Sequence, residues 1–485
     1  VNGQIRNLFL FVLVLFGLLL AFTSRWTVFE DGDLRASAQN SRDVIRAQRI
    51  PRGRILAADG TILARSVRTR SRGTNTTIYK RRYPKGAAYA GPVGVSDLQF
   101  GQSGLEKSQN AFLGGRAVKL ATAVDRLIQG DQRGSTIRTT LEPKVQEAAL
   151  AGLNGRAGSV VALEPETGKV LAMASVPGYD PNRMISEPGY RTTLKNSAEL
   201  NRATQAAYVP GSTFKVLTAA AALDTGKYTP DTTVDGSTGQ VFSGQPLANF
   251  NGEQFGQVTL TQALTQSING AFGNIANDLG GRTLQEYMER FGFDAKPPLD
   301  YPAGQIRTSG IRRKDKLIPA TSRYVDLART GIGQDKLGAT PLQMAMVVSA
   351  VANDGRLMKP HLTDRVVDPD GRVQEEVEPQ LYKQAMKASS AQQLQQMMGN
   401  VVDEGTGAQA QLGTDVRVGG KTGTAELGNI ADGINNLWFI GFAPLEDPKV
   451  AVAVIVENSP GQGGQVAAPI AKSVIQAALA AGAGR

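Results

Sequence analysis

Three short stretches of this 485-residue chain combine residue types suited to nucleophilic chemistry. Ser212-Thr213-Phe214-Lys215 sets a hydroxyl and an amine three residues apart at an expected helix start, so that both project from one face within hydrogen-bond reach. Helix N–H groups beside such a serine can hold a developing oxyanion. Lysine can take the serine proton only when neutral, a state that burial and a nearby cation both favour. Ser267-Ile268-Asn269 falls on an amphipathic helical stretch, and Lys421-Thr422-Gly423-Thr424 on a strand entered through Gly419-Gly420. On that strand the hydroxyls of Thr422 and Thr424 can grip a carboxylate beside the Lys421 charge, while Gly423 admits close approach of ligand or backbone. Each pattern is weak alone. Composition predicts about one Ser-x-x-Lys in a chain of this length, Ser108-Gln109-Asn110 repeats Ser-x-Asn elsewhere, and Lys-Thr-Gly, which has the better physical rationale, has a plain edge strand with a tight turn as its alternative. The order of the three, helix start, second helix, late strand, carries the weight.

Composition removes the competitors. There is no cysteine and a single histidine, His361, so cysteine nucleophiles, cysteine zinc sites and two-histidine zinc peptidases are excluded. No Gly-x-Ser-x-Gly elbow accompanies His361, which reads as an ordinary surface or satisfied histidine. The remaining candidates for a base are lysine and carboxylates.

The elements that must position these groups begin at Gly158. Ser159–Leu163 and Lys169–Ala174 read as strands joined by Glu164-Pro165-Glu166-Thr167-Gly168. Ser212–Leu223, Thr259–Leu279 and Pro341–Ala352 read as helices, the last with proline in its first turn. Val416–Val418, Asn436–Phe442 and Val450–Val456 read as strands, Gly461–Gly464 as a short flexible loop and Ala468–Ala481 as a closing helix. An antiparallel sheet with helices against it is expected over residues 151–485. Residues 27–150 alternate short apolar runs with Gly, Arg and Thr and read as a strand-rich pedestal.

Residues 1–26 contain an unbroken apolar run, Leu8–Phe22, flanked by Arg6, Arg25 and Trp26. The run is expected to be an uncleaved membrane helix with a short cytoplasmic stub, the alternative being a signal peptide cut near Ala21-Phe22-Thr23. From Arg42 to Lys85 thirteen Lys or Arg face two acids, Asp43 and Asp59. That stretch suits a solvated face, anionic lipid or an acidic wall polymer better than nucleic acid.

With its three motifs in order, the chain resembles the penicillin-binding protein and serine β-lactamase superfamily, and more narrowly the class B penicillin-binding proteins. Supporting stretches are Arg52-Gly53 with Asp59-Gly60, Gly101-Gln102-Ser103-Gly104-Leu105-Glu106, Tyr208-Val209-Pro210-Gly211-Ser212, Gly331-Ile332-Gly333-Gln334, Gly405-Thr406-Gly407 and Lys421 to Glu426. Size, short pedestal and lack of appended C-terminal repeats look most like the actinobacterial penicillin-binding protein A branch. One departure is Ala57, where the family usually carries an acid.

The resemblance implies an α+β fold: a transpeptidase domain with an antiparallel sheet flanked by helices, on a strand-rich pedestal with an N-terminal transmembrane helix. It implies peptidoglycan D,D-transpeptidation, in which Ser212 attacks the D-Ala-D-Ala carbonyl, Lys215 is the base, and the Ser212 and Thr424 backbone N–H groups form the oxyanion hole. Ser267 and Lys421 would relay the proton to the leaving D-alanine, and Lys421 would help keep Lys215 neutral. Asn269 would position Lys215 and the stem peptide, while Thr422 and Thr424, with Gly423 between them, would hold the terminal carboxylate. No cofactor and no metal are called for. The implied partners are stem peptides, lipid-linked glycan, β-lactam inhibitors, the membrane, and a glycan polymerase of the shape, elongation and division family, with no nucleic acid. The implied location is the cell membrane, single-pass, with an extracytoplasmic catalytic domain. A D,D-carboxypeptidase shares every motif; a β-lactamase lacks support because no Glu-x-x-Leu-Asn loop is present. A non-catalytic sensor conflicts with intact Ser212, Lys215 and Lys421, and the short cytoplasmic stub leaves no room for a signalling domain.

Overall fold

The computed structural model describes residues 2–24, 49–71, 76–97, 101–115, 133–426 and 434–482. Expectations for Arg25 and Trp26 and for the basic residues Arg42, Arg46 and Arg72 lie outside these residues. Two compact units divide the chain, residues 1–51 with 68–80, and residues 52–67 with 81–485. In the first, Asn2–Ser24 is one helix whose Gly3–Leu20 window has a mean hydropathy of 2.0, long and apolar enough to cross a membrane.

The second unit is organised on a five-stranded sheet of β1 (Gly158–Leu163), β2 (Val170–Val176), β3 (Gly419–Glu426), β4 (Ile434–Ala443) and β5 (Val450–Pro460). The order is β3-β4-β5-β1-β2 with every pairing antiparallel. The helices are α1 (Pro143–Leu153), α2 (Lys215–Asp224), α3 (Leu260–Thr265), α4 (Asn269–Arg290), α5 (Pro341–Ala352), α6 (Ala388–Asp403) and α7 (Gly463–Ala481). Alternation along the strands splits the apolar residues between two layers. Val160, Ala162, Val452 and Val454 pack with Val145 and Ala149 of α1 and with Ala471 and Val474 of α7. Val161, Leu163, Ala453 and Ile455 face the other core, which contains α2, α5 and α6. Because sheet and helices enclose it, α2 is buried along its whole length, which suits its alanine-rich middle and takes Lys215 and Asp224 at its two ends out of water as well.

Residue 150, the expected end of the pedestal, lies inside α1. Gln146 of α1 grips β2 through both amide atoms, Nε2 donating to Met173 O at 3.2 Å and Oε1 accepting from Met173 N at 2.9 Å. A second sheet draws strands from far apart in the chain. Ile55 and Leu56 pair antiparallel with Ala64 and Ile62 and parallel with Ile137 and Arg138, and Thr136–Thr139 pairs with Thr363–Val367. Two of the sequence stretches that carried the family resemblance meet here. Glu106 is fully buried and takes Arg52 Nε on one oxygen and Arg81 Nε on the other, each at 2.6 Å. Burial alone would raise its pKa; the two guanidiniums overcome that and hold it below the usual carboxylate value.

Four local expectations change. Val416–Val418 is irregular and the strand begins at Gly419. The stretch Thr259–Leu279 is two helices, because Ser267 adopts φ +59 and ends α3 before α4 starts. Gly463 and Gly464 are the first turn of α7 and not a loop. His361 is only 6% exposed, and its Nε2 has no partner among the described residues.

Candidate active site

The first motif is set by the turn before it. Gly211 N donates to Gly333 O at 2.9 Å and Thr213 Oγ1 donates to Pro210 O at 2.7 Å, closing a 3-10 turn over Gly211–Phe214 that runs into α2. Gly333 has φ +81, and a Cβ there would lie 2.0 Å from Gly211 O. Only glycine lets this segment support the turn. Ser212 stays partly exposed at the head of the helix, whereas Lys215, one turn on, is fully buried.

The break between α3 and α4 aims the second motif. With Ser267 in the left-handed region, its carbonyl turns out of the helix and accepts from Lys215 Nζ at 2.7 Å, with Ser267 Oγ 3.3 Å from the same amine. Asn269 Oδ1 accepts from Lys215 Nζ at 2.7 Å, and Asn269 Nδ2 donates to Ala248 O at 2.9 Å, so the amide has one orientation. Asn249 Oδ1 takes Gly270 N at 2.9 Å and anchors the next peptide of α4. The loop from Asp235 to Gln257 is thereby bonded to the start of α4.

The third motif lies on the edge strand β3 of the main sheet, which is itself buried from Gly419 to Gly423. A Cβ on Gly423 would stand 2.9 Å from Pro210 O and 2.9 Å from Thr213 Cγ2, so the glycine is what lets β3 lie against the nucleophile turn. On the neighbouring strand, Trp438 Nε1 donates to Val209 O at 3.0 Å and its ring meets Tyr208 edge-on at 6.0 Å. Lys421 is fully buried, and its amine donates to Thr422 O at 3.0 Å.

The electrostatics follow from two lysine amines taken out of water with no carboxylate bonded to either among the described residues. Burial pulls the Lys421 pKa down to about 7. Burial, and then the Lys421 charge, hold Lys215 well below the ordinary lysine value. A neutral amine has two N–H bonds and one lone pair. In the neutral form, Ser267 O and Asn269 Oδ1 engage the two N–H bonds, and the lone pair remains to take a proton, with Ser267 Oγ 3.3 Å from the nitrogen. Ser212 Oγ has no hydrogen-bond partner among the described residues, so the direct Ser212 to Lys215 bond expected from their spacing is not formed at rest. Catalytic hydrogen bonds commonly tighten only when substrate is bound.

All eight residues singled out in the sequence occupy this one region, distributed over the Gly211–Phe214 turn, the start of α2, the α3–α4 break with the start of α4, and β3. Sequence reasoning assigned no role to Ala248, Asn249 or Trp438, whose backbone and side-chain contacts register only in three dimensions. Thr406 was visible within Gly405-Thr406-Gly407, again without a role.

The chain matches the family model described as the penicillin binding protein transpeptidase domain over residues 158–476. It also matches the penicillin binding protein A dimerisation domain over residues 52–137. Peptidoglycan D,D-transpeptidase PbpA of Mycolicibacterium smegmatis is 36% identical over 511 residues, with 99% of this chain and 100% of the relative covered. The Mycobacterium tuberculosis protein of the same name is 33% identical over 509 residues, with 99% of both covered. Among solved structures, penicillin-binding protein A from M. tuberculosis as a ceftriaxone acyl-enzyme complex gives a TM-score of 0.80 at 32% identity, covering 90% of this chain and 100% of that one. The penicillin G acyl-enzyme complex of the same protein gives 0.78 at 32% identity, covering 89% and 100%.

Proposed function

The chain belongs to the penicillin-binding protein transpeptidases, and from that membership we propose that Ser212 is its acylated nucleophile and Lys215 the base. The protein is a peptidoglycan D,D-transpeptidase of cell wall synthesis, a serine acyltransferase inhibited covalently by β-lactams. The observation that carries the residue assignment is the fully buried Lys215 amine, held by Ser267 O and Asn269 Oδ1 one turn from Ser212, with burial and the Lys421 charge keeping its pKa well below the ordinary lysine value.

In the reaction, Ser212 Oγ bonds to the carbonyl carbon of the penultimate D-alanine while its proton passes to Lys215 Nζ. The Ser212 and Thr424 backbone N–H groups hold the oxyanion. The C–N bond to the terminal D-alanine then breaks, and the leaving amine takes a proton relayed through Ser267 from the Lys215 and Lys421 pair. An ester to Ser212 remains. The amine of a second stem peptide attacks that ester, its proton returns through the same groups, and Ser212 is released as the cross-link closes. One peptide bond replaces another, so no ATP enters. Asn269 orients Lys215 and the donor peptide, while Thr422 and Thr424, on either side of Gly423, hold the donor carboxylate.

Residues 1–26 are assigned as the anchor, 27–150 as the pedestal and 151–485 as the transpeptidase domain, with catalysis on the extracytoplasmic side of a single-pass membrane protein. A membrane glycan polymerase of the shape, elongation and division family is the proposed partner. Labelled penicillin is expected to attach to Ser212 and persist, with Ser212→Ala abolishing the label. Rapid turnover of the antibiotic would overturn the assignment. Incubation with lipid-linked glycan and a partner polymerase should yield cross-linked dimers, and free D-alanine alone would identify a carboxypeptidase.

A further inference from the structure

On strand β3, each of the two threonine hydroxyls has a fixed neighbour from another segment of the chain. Thr424 Oγ1 accepts from the backbone N–H of Gly463, the first residue of the nineteen-residue α7, at 3.2 Å. Thr422 Oγ1 lies 2.7 Å from Thr406 Oγ1. Thr406 is exposed, whereas Thr422 is only 7% exposed. Its position is tightly set by backbone: a Cβ on Gly405 would be 2.5 Å from Thr265 O, and one on Gly464 would be 2.4 Å from Thr406 O. The Gly405-Thr406-Gly407 turn therefore sits between the end of α3 and the first turn of α7, with its hydroxyl directed at β3.

A hydroxyl has one proton to give and two lone pairs to receive with. Thr424 receives from Gly463 N–H, and a backbone N–H cannot accept in return, so the Thr424 proton points elsewhere. The Thr406 and Thr422 pair can run either way until an anion arrives. Once a carboxylate takes the Thr422 proton, the only direction left for the 2.7 Å contact is donation from Thr406 to Thr422.

We propose that Thr406 is a positioning residue for donor selection: it donates to Thr422, as Gly463 N–H does to Thr424, so that both strand hydroxyls present their protons to an acyl donor with a free terminal carboxylate. Resting on the transpeptidase assignment, the proposal extends it to a residue outside the three motifs. Thr406 acts through Thr422 and not on the reacting atoms. Its loss weakens binding of the carboxylate and leaves the lysine base intact.

The test is Thr406→Val, nearly the same shape without the hydroxyl, alongside Thr406→Ser, which keeps it. Because the side chain is exposed, Thr406→Val should fold as the parent does. Acylation of the full chain would be timed with penicillin G and with its methyl ester, which lacks the carboxylate. For penicillin G, Thr406→Val should raise the concentration for half-maximal acylation about threefold to tenfold, the range of one lost hydrogen bond, with the limiting rate nearly constant. Thr406→Ser should return it to the parental value, and the acid limb of the pH profile should not move. With the ester, Thr406→Val and parent should match. Equal slowing with acid and ester would make Thr406 merely structural and overturn the proposal, as would no change with penicillin G. Failure of the parent itself to be acylated would instead overturn the transpeptidase reading.

Discussion

Lys215 and Lys421, from a helix and a strand more than two hundred residues apart in the chain, are buried together, and the charge of the second lowers the proton affinity of the first. Burial is the larger cause. Because acylation needs Lys215 neutral, its rate should fall as pH drops through the depressed Lys215 pKa. Lys421→Met removes the repelling charge, so this acid limb should move to higher pH. Penicillin acylation followed across pH checks the sign, and an unmoved limb would refute the coupling.

The same substitution should stabilise the fold. Lys421 has a folded pKa of about 7, below the unfolded value of roughly 10.4. Between these values the unfolded chain binds the proton and the folded chain does not, so stability rises with pH across that window. Near pH 8 the neutral burial costs on the order of 3 kcal/mol. Lys421→Met should therefore raise Tm at pH 8 while abolishing turnover, and the gain in Tm should shrink as pH approaches 10.

Asn269→Asp would set a carboxylate 2.7 Å from the Lys215 amine. An opposite charge at that distance favours the ammonium form. Acylation at neutral pH should fall at least tenfold, with partial recovery at alkaline pH. Asn269→Ala, which lacks the charge, should slow acylation without moving the acid limb as far.

Glu106→Ala leaves the Arg52 and Arg81 guanidiniums without their shared carboxylate. Breaking a buried ion pair from one side costs about 3 to 5 kcal/mol, so the Tm should drop substantially. The folded fraction, measured by penicillin titration, should react at the parental rate. In the parent, the depressed folded pKa of Glu106 contributes stability present above the ordinary carboxylate pKa and lost as pH falls through the folded value.

Gly333→Ala should damage the nucleophile turn from outside the three motifs. Its Cβ would meet Gly211 O at 2.0 Å, and its φ of +81 is unfavourable for alanine. A loss of stability together with an acylation rate reduced at least tenfold is expected, with the methyl group too rigid to be accommodated. A parental rate and Tm would show that the turn adapts.

Much of this was legible from residue order. Antiparallel strands at both ends of a helical segment gave the sheet, and the apolar run from Leu8 to Phe22 gave the N-terminal helix. What periodicity missed was the interruption at Ser267. The pattern from Thr259 to Leu279 is helical throughout, yet a left-handed serine in its middle is what turns a backbone carbonyl toward Lys215. A single residue's φ leaves no mark on an amphipathic repeat. The strand at Val416–Val418 was misplaced for a related reason. Short alternation marks a stretch as strand-like, but pairing with β4 begins only at Gly419.

By itself the sequence determined which chemistry was available: no thiol, one histidine, a serine three residues before a lysine, and a Lys-Thr-Gly strand in the right order. It also set the carriers of these groups, because side-chain periodicity and turn residues are local properties. Only the tertiary structure decided the lowered proton affinity of Lys215. That lowering depends on removing two amines from water side by side, and burial is a property of the packed chain. The contacts of Thr406 with Thr422 and of Gly463 with Thr424 were decided in the same way, since each joins segments that meet only when the sheet and its closing helix assemble.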